Sequence, residues 1–267
     1  YYMRISWNWI VSKTLKMTIK IERDIEYTEA IILAGGFGTR LKEVVTDLPK
    51  PMAPINDVPF LNYLLNYLTH FGIKHIVIST GHLSEKITDY YNSLGKKPEW
   101  GGAKLSFSHE SSPLGTGGAI RLALEKCKQK QVLVLNGDSF FDFDIKQFSY
   151  LHKVYHSNFS LALRTIDNAE RYGTVECNNQ NQIESFKEKS GLETEGLINA
   201  GIYIIKKEPF LSKTEANKNF SIEKDFFEKQ LTEEKIHGFK FDGYFIDIGI
   251  PEDYSKAQND FKEFKYR

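Results

Sequence analysis

Ala30-Ile-Ile-Leu-Ala-Gly-Gly-Phe-Gly-Thr-Arg-Leu41 joins an apolar run directly to a glycine-rich turn. The run over 30–33 has no polar residue to face solvent, so it reads as a strand buried on both faces. The glycines let backbone N–H groups approach and cradle phosphate oxygens. In an open α/β sheet, the loop leaving a strand's C-terminal end is where ligands bind. Two familiar phosphate motifs fail on spacing. A Walker A loop needs Lys-Ser/Thr after its last glycine, but Thr39-Arg40 follow Gly38. A dinucleotide fingerprint needs glycine at 41, which is Leu41. Alone, the turn serves equally well as a tight strand-to-helix connection. Two cations favour phosphate. Arg40 lies in the turn, and Lys50 is held between Pro49 and Pro51, whose rings stiffen the chain around a point charge.

Outward from this turn the chain alternates short apolar runs with helix-period segments. Strands are expected over 30–33, 75–79, 104–108 and 132–135. Helices are expected over 84–94 and 116–128, and where Phe60, Leu64, Tyr67, Leu68 and Phe71 share one face before Gly72. Apolar strands separated by amphipathic helices indicate βαβ units, hence an α/β fold with a parallel sheet covered on both faces. After about residue 158 strands follow one another over 159–166, 174–177, 183–186 and 197–205, extending the sheet and walling one side. Two helices are expected near the end, over 221–230 with Ser221 as cap and over 251–264 opened by Pro251. Residues 1–28 stand outside this scheme as an extension of unassigned role. The remainder reads as one domain, 29–267, in two halves, 29–157 and 158–267.

The bulk numbers exclude several classes. Lys plus Arg and Asp plus Glu total 35 each in 267 residues, and a chain without net positive charge is poorly suited to general nucleic-acid binding. No apolar run approaches the roughly 20 residues of a membrane span. The apolar piece at 5–11 is broken by Ser6 and Asn8 and followed by Lys13 and Lys16, so no signal peptide is expected. Cys127 and Cys177 have no metal-type spacing and read as inert thiols in a reducing, cytoplasmic setting.

Asp138, in Asn136-Gly-Asp138, follows the apolar run 132–135, and Asp247 ends another run at 245–247. An aspartate at a strand end is commonly a cap or turn residue. A pair of them beside a phosphate turn suits a hard divalent cation. Asp142 and Asp144 read as structural. No Ser-His-Asp or Cys-His arrangement stands out among the seven histidines.

Gly35-Gly-Phe-Gly-Thr-Arg-Leu41 followed by Pro49-Lys-Pro51 resembles the signature of the sugar-1-phosphate nucleotidyltransferases, and the likeness extends over residues 29–260. The resemblance implies a Rossmann-like fold with a mixed, mostly parallel central sheet flanked by helices and a sugar-binding lobe. It implies Mg2+ held by Asp138 and Asp247, with Arg40 and Lys50 neutralising reacting phosphates. The phosphate-side residues would be Leu33, Ala34, Gly35, Gly36, Gly38 and Thr39. In the base-side segment Glu110, Pro113, Gly115 and Thr116 match the form common among guanylyltransferases, favouring GTP. Tyr172, Gly173, Glu188, Lys189 and Asn199 match sugar-phosphate positions, with Lys189 on the phosphate. Ser190 departs from the family's usual proline, and Glu188-Lys189 read alone is a solvated charge pair.

The motif order is most similar to that of members acting on D-glycero-D-manno-heptose 1-phosphate. Mannose-1-phosphate guanylyl transfer and glucose-1-phosphate thymidylyl transfer are the alternatives. Outside the class stand a non-catalytic nucleotide-sugar-binding subunit and a glycosyltransferase using Asp142-Phe-Asp144. The sequence leaves the oligomeric state open, a homo-oligomer included.

Overall fold

The computed structural model describes residues 28–36, 41, 45–95, 99–170, 172–187 and 195–266. Strand β1 (Glu29–Ala34) is followed by a short hairpin, β2 (Pro54–Ile55) and β3 (Val58–Pro59), and by helix α1 (Phe60–His70). Then come β4 (His75–Thr80), α2 (Ser84–Ser93), β5 (Glu99–Trp100), β6 (Ala103–His109), α3 (Gly115–Leu124) and β7 (Gln131–Asn136). The second half begins with β8 (Ser139–Phe141), α4 (Ile145–Val154), β9 (Phe159–Ile166), β10 (Thr174–Cys177) and β11 (Ile183–Lys187). It continues through β12 (Gly196–Lys206), α5 (Lys207–Ser212) and a π-helical stretch, Ile222–Phe227, that runs into Glu228–Gln230. Strands β13 (Ile236–Lys240) and β14 (Phe245–Asp247) and helix α6 (Pro251–Asp260) follow.

The centre of the main sheet, β7-β1-β4-β6, is parallel, with Ile31 opposite both Val77 and Val134. Strand β1 is buried on both faces, as its continuous apolar run requires. Ala30, Ile32 and Ala34 join the core under α1 and α2, and Ile31 joins the opposite core under α3. The chain runs from β1 to β4 and β6 on one side, then returns to lay β7 on the other side of β1. That reversal is a topological switch point, and ligands in open α/β sheets bind outside the strand ends there. Strand β12 then pairs antiparallel with β7, while β9, β10, β11 and β13 extend the sheet beyond it. The sheet is therefore mixed, as expected.

Three helix boundaries differ from the sequence reading. The helix expected over 116–128 is Gly115–Leu124, after which the chain turns and Glu29 Oε2 accepts from the N–H groups of Lys128 and Gln129 at 2.7 Å each. The helix expected over 251–264 ends at Asp260. Phe261, Phe264 and Tyr266 instead turn back onto Tyr63, Tyr67 and Phe140, an aromatic cluster with most rings edge to face. The helix expected from 221 opens as a π-helix, with Ser221 capping it as anticipated by accepting from Lys224 N–H. Asp144 caps α4 by accepting from Lys146 and Gln147 N–H, and Asp142 pairs with Lys265 at 2.9 Å. Both are structural.

Candidate active site

At the switch point the strand ends open into a cavity of roughly 780 Å³. Leu33, Ala34, Gly35 and Gly36 line one side of it, Lys50 and Asp138 one end, and Glu110, Pro113, Gly115 and Thr116 another. These residues come from four separate segments, so the sheet gathers what the sequence scatters. Gly38, Thr39 and Arg40 lie outside the described residues, as do Glu188, Lys189 and residues 1–27.

Asp247 reaches this end of the site through a small separate ladder. Strands β8 and β14 pair antiparallel with Asp247 opposite Ser139, and Ile248 N–H donates to the Asp138 carbonyl at 2.9 Å. The ladder thereby brings Asp247, at the end of β14, close to Asp138, just before β8. Lys50 sits in a one-turn 3-10 helix, Lys50–Met52, after an extended Pro49. Its Nζ lies 3.2 Å from Asp138 Oδ2, with the lysine side chain 13% exposed and the aspartate 36%. A Cβ built on Gly249 would lie 3.4 Å from Lys50 Nζ and 2.8 Å from Asp247 Oδ1, so ammonium and second carboxylate converge on one spot. The Asp247 carboxylate is steadied by Gly249 N–H at 2.7 Å. Gly137 has no room for a side chain, since a Cβ would approach the Leu33 carbonyl to 2.5 Å and Pro51 Cγ to 3.1 Å. The Asn136-Gly137-Asp138 segment can therefore press against the glycine turn.

Two carboxylates around one ammonium form a notch that draws positive charge, which is the donor chemistry a hard divalent cation needs. Among the described residues no group of three or more His, Cys, Asp or Glu assembles anywhere. A cation at this pair would complete its shell with phosphate oxygens and water.

At the other end, Glu110 Oε2 accepts from Leu114 N–H at 2.8 Å. Its Oε1 packs on two glycines: a Cβ at Gly35 would overlap it, and one at Gly81 would come within 2.8 Å. Burial pushes the Glu110 carboxyl above its ordinary pKa, opposed by the Leu114 hydrogen bond. Thr116 does not cap α3, whose N-cap is Leu114. Its hydroxyl instead accepts from Ile222 N–H at 2.8 Å and donates to Glu223 Oε2 at 3.3 Å.

Tyr172, Gly173 and Asn199 do not line this cavity. Tyr172 lies against Phe245, two residues before Asp247, with ring centroids 6.1 Å apart. Asn199 is engaged internally, donating to Tyr203 OH at 2.8 Å and accepting from Gly201 N–H at 3.0 Å. The sequence reading missed the segment from Gly81 to Glu85, together with Asn136 and Asn219, all of which line the cavity. Leu83, at φ 56°, was beyond any local cue, since such backbone favours glycine or asparagine.

The family model for nucleotidyl transferases matches residues 29–263. The chain belongs to the nucleotidyl transferase family. One relative is the D-glycero-alpha-D-manno-heptose 1-phosphate guanylyltransferase of Aneurinibacillus thermoaerophilus. It is 43% identical over 236 residues, covering 88% of this chain and 99% of its own length. A mannose-1-phosphate guanyltransferase of Aspergillus fumigatus is 32% identical, over 85% of this chain and 62% of its own. Among solved structures, HddC from Yersinia pseudotuberculosis complexed with GMP-PN matches with TM-score 0.77 at 37% identity. That match covers 88% of this chain and all of the other.

For a nucleotidyl transferase the attacking phosphate oxygen is already ionised at neutral pH, so no protein nucleophile or general base is required. The thiols fit that economy, since burial pushes Cys127 up to about 12 and Cys177 up to about 11. One Ser-His-Glu constellation lies outside the cavity. Ser106 Oγ, His75 and Glu29 form a hydrogen-bonded chain with both links at 2.9 Å. It lies toward the N-terminal ends of the strands, away from the cavity at their C-terminal ends. Its carboxylate already binds Lys128 and Gln129 N–H, so it anchors the loop after α3. No helix among the described residues is long and apolar enough to cross a membrane.

Proposed function

We propose that the chain transfers guanosine monophosphate from GTP to D-glycero-D-manno-heptose 1-phosphate and releases pyrophosphate, in the cytoplasm. The observation that carries this reading is the meeting of Lys50, Asp138 and Asp247 beside the glycine turn. The high identity to a heptose 1-phosphate guanylyltransferase along nearly its whole length supports the choice of substrates. An oxygen of the sugar phosphate attacks the α-phosphorus of GTP. The bond from that phosphorus to the oxygen bridging the β-phosphate breaks, and that oxygen leaves with pyrophosphate.

Asp138 and Asp247 would hold Mg2+, which when bound supplies positive charge against the α-phosphate and the departing pyrophosphate. The backbone turn at Gly35 and Gly36 cradles phosphate oxygens, and Lys50 and Arg40 neutralise the charge that develops. Half-buried Glu110 accepts from the donor groups on guanine, a contact adenine would lose because it lacks guanine's N1–H and 2-amino donors. Tyr172, Gly173, Glu188, Lys189 and Asn199 would form the sugar side, with Lys189 on the sugar phosphate. On this reading 29–157 serves the nucleotide and 158–267 the sugar phosphate.

Pyrophosphate release across GTP, ATP, UTP, CTP and dTTP, followed by heptose, mannose and glucose 1-phosphates with the best nucleotide, tests the assignment. GTP with the heptose phosphate is the expected optimum. A preference for dTTP or CTP overturns the base, and one for mannose 1-phosphate overturns the sugar. Lys189→Ala should raise KM for the sugar phosphate and leave nucleotide affinity unchanged. Weakened nucleotide binding in that variant would contradict the two-pocket division.

A further inference from the structure

Glu223 lies outside every motif that points to the reaction, yet its carboxylate joins the two halves of the site. Its Oε1 accepts from Tyr203 OH at 2.8 Å, and its Oε2 accepts from Ser221 Oγ at 2.9 Å and Thr116 Oγ1 at 3.3 Å. Tyr203 is fully buried on β12, and its hydroxyl in turn accepts from Asn199 Nδ2. Thr116 also accepts from Ile222 N–H, next to Glu223 in the chain. One continuous set of hydrogen bonds therefore runs from the base-side turn through Glu223 and Tyr203 to Asn199.

The same stretch of chain is keyed to the base-side turn by backbone as well. Phe220 N–H donates to the Leu114 carbonyl at 3.0 Å, Gly117 N–H donates to the Phe220 carbonyl at 2.9 Å, and Asn219 Nδ2 donates to the Pro113 carbonyl at 2.8 Å. At its far end the path reaches the end of β7, just before Asp138. The β12 irregularity after Asn199 contains Gly201 at φ 75°, where a Cβ would come within 2.5 Å of Asn136 Nδ2, two residues before Asp138. A contiguous hydrogen-bonded network of this kind is one physical route by which two sites can be coupled.

We propose that Glu223 is a positioning residue that clamps the base-side turn to β12, so that nucleotide and sugar phosphate each tighten the binding of the other. This rests on the proposed function for the identity of the two ligands. Linkage makes the effect reciprocal, and coupling between two sites commonly amounts to about fivefold or more in affinity.

Two substitutions separate the clamp from simple stability. Tyr203→Phe deletes one hydroxyl and leaves the ring against Phe227. It cuts the path between Glu223 and Asn199 while the Thr116 and Ser221 contacts survive. Glu223→Ala frees the base-side turn as well. The experiment is calorimetric titration of the unreactive α,β-methylene analogue of GTP, with and without saturating D-glycero-D-manno-heptose 1-phosphate. In the wild type the sugar phosphate should tighten nucleotide binding about fivefold or more. In Tyr203→Phe that gain should fall to near one with nucleotide affinity alone unchanged, and in Glu223→Ala nucleotide affinity alone should also drop. A core variant remote from the path, Phe148→Leu, should keep the gain even if its melting temperature falls further. A wild-type gain near one, or a gain that survives Tyr203→Phe, overturns the clamp. Turnover of GTP and the heptose phosphate by the same wild-type preparation reports on the proposed function, so either idea can fail alone.

Discussion

Lys50 illustrates how one side chain is tuned by its neighbours. Two flanking prolines fix its backbone and the Asp138 carboxylate holds its ammonium at 3.2 Å, so the charge is aimed before any ligand arrives. A group preorganised in this way acts on charge that appears only during reaction. Replacing Asp138 or Asp247 by Asn should lower kcat by about a hundredfold or more. The melting temperature should change little, because the Lys50–Asp138 pair is partly exposed and such pairs add little stability. Pyrophosphate-release kinetics alongside thermal melts check both halves, and full activity of either variant in EDTA-treated buffer would exclude the metal role. Glu110→Gln tests a different property. The amide oxygen can still accept from Leu114 N–H, so the fold should persist. The preference for GTP over ATP should shrink by about tenfold to a hundredfold, the scale of losing one hydrogen-bonded contact to the base.

At the scale of elements, the start of α3 and the segment before the π-helix behave as one unit. Three glycines, Gly115, Gly117 and Gly118, allow chain from 218 to 220 to lie directly on that helix start. A Cβ at Gly117 would overlap the Phe220 ring, whereas one at Gly36 would meet nothing within 4 Å among the described residues. Gly117→Ala should therefore destabilise the protein by about 1–3 kcal/mol, the usual cost of overpacking. Gly36→Ala should leave the melting temperature unchanged and raise KM for the nucleotide, since its methyl enters the phosphate turn. Denaturant titrations of the two variants, with KM measured for each, distinguish a packing glycine from a ligand-facing one. Sequence showed both as members of glycine-rich turns. Which glycine makes room for protein and which for ligand depends on Phe220, far along the chain.

Across the whole molecule, two buried histidines stand apart from the chemistry, His152 on α4 and His237 on β13. His152 pairs through Nδ1 with Ser160 Oγ at 2.8 Å and has a buried Nε2 without a hydrogen-bond partner; His237 pairs with Ser157 Oγ at 2.8 Å. Burial, with Lys206 and His237 nearby, pushes His152 down to about 3, and burial with Lys235 lowers His237. The unfolded chain then binds protons below about pH 6.5 that the folded chain refuses until about pH 3, so stability falls as pH drops through that window. For His152 alone the loss at pH 5 is about 2 kcal/mol. Denaturant titrations at pH 7.5 and 5 should show that loss, and His152→Leu should shrink it by about the same amount. An identical acid shift in that variant would locate the effect elsewhere.

The sequence alone determined what neighbouring residues decide. An unbroken apolar run made β1 a strand buried on both faces. Glycines marked the turn after it, and Ser221 and Pro251 marked helix starts. The positive charge of Lys50 and the hard oxygen donors of the two aspartates were legible as well, because residue type fixes them. Only tertiary structure set Asp247 beside Asp138, through the β8–β14 ladder, and brought Gly81 to Glu85 and Asn219 into the cavity. It alone turned Thr116 toward Glu223 instead of toward a helix cap, and linked Ser106, His75 and Glu29 into an anchor. Propensity and periodicity act over a few residues, whereas these contacts join segments whose meeting is fixed by strand order and by the space each core leaves.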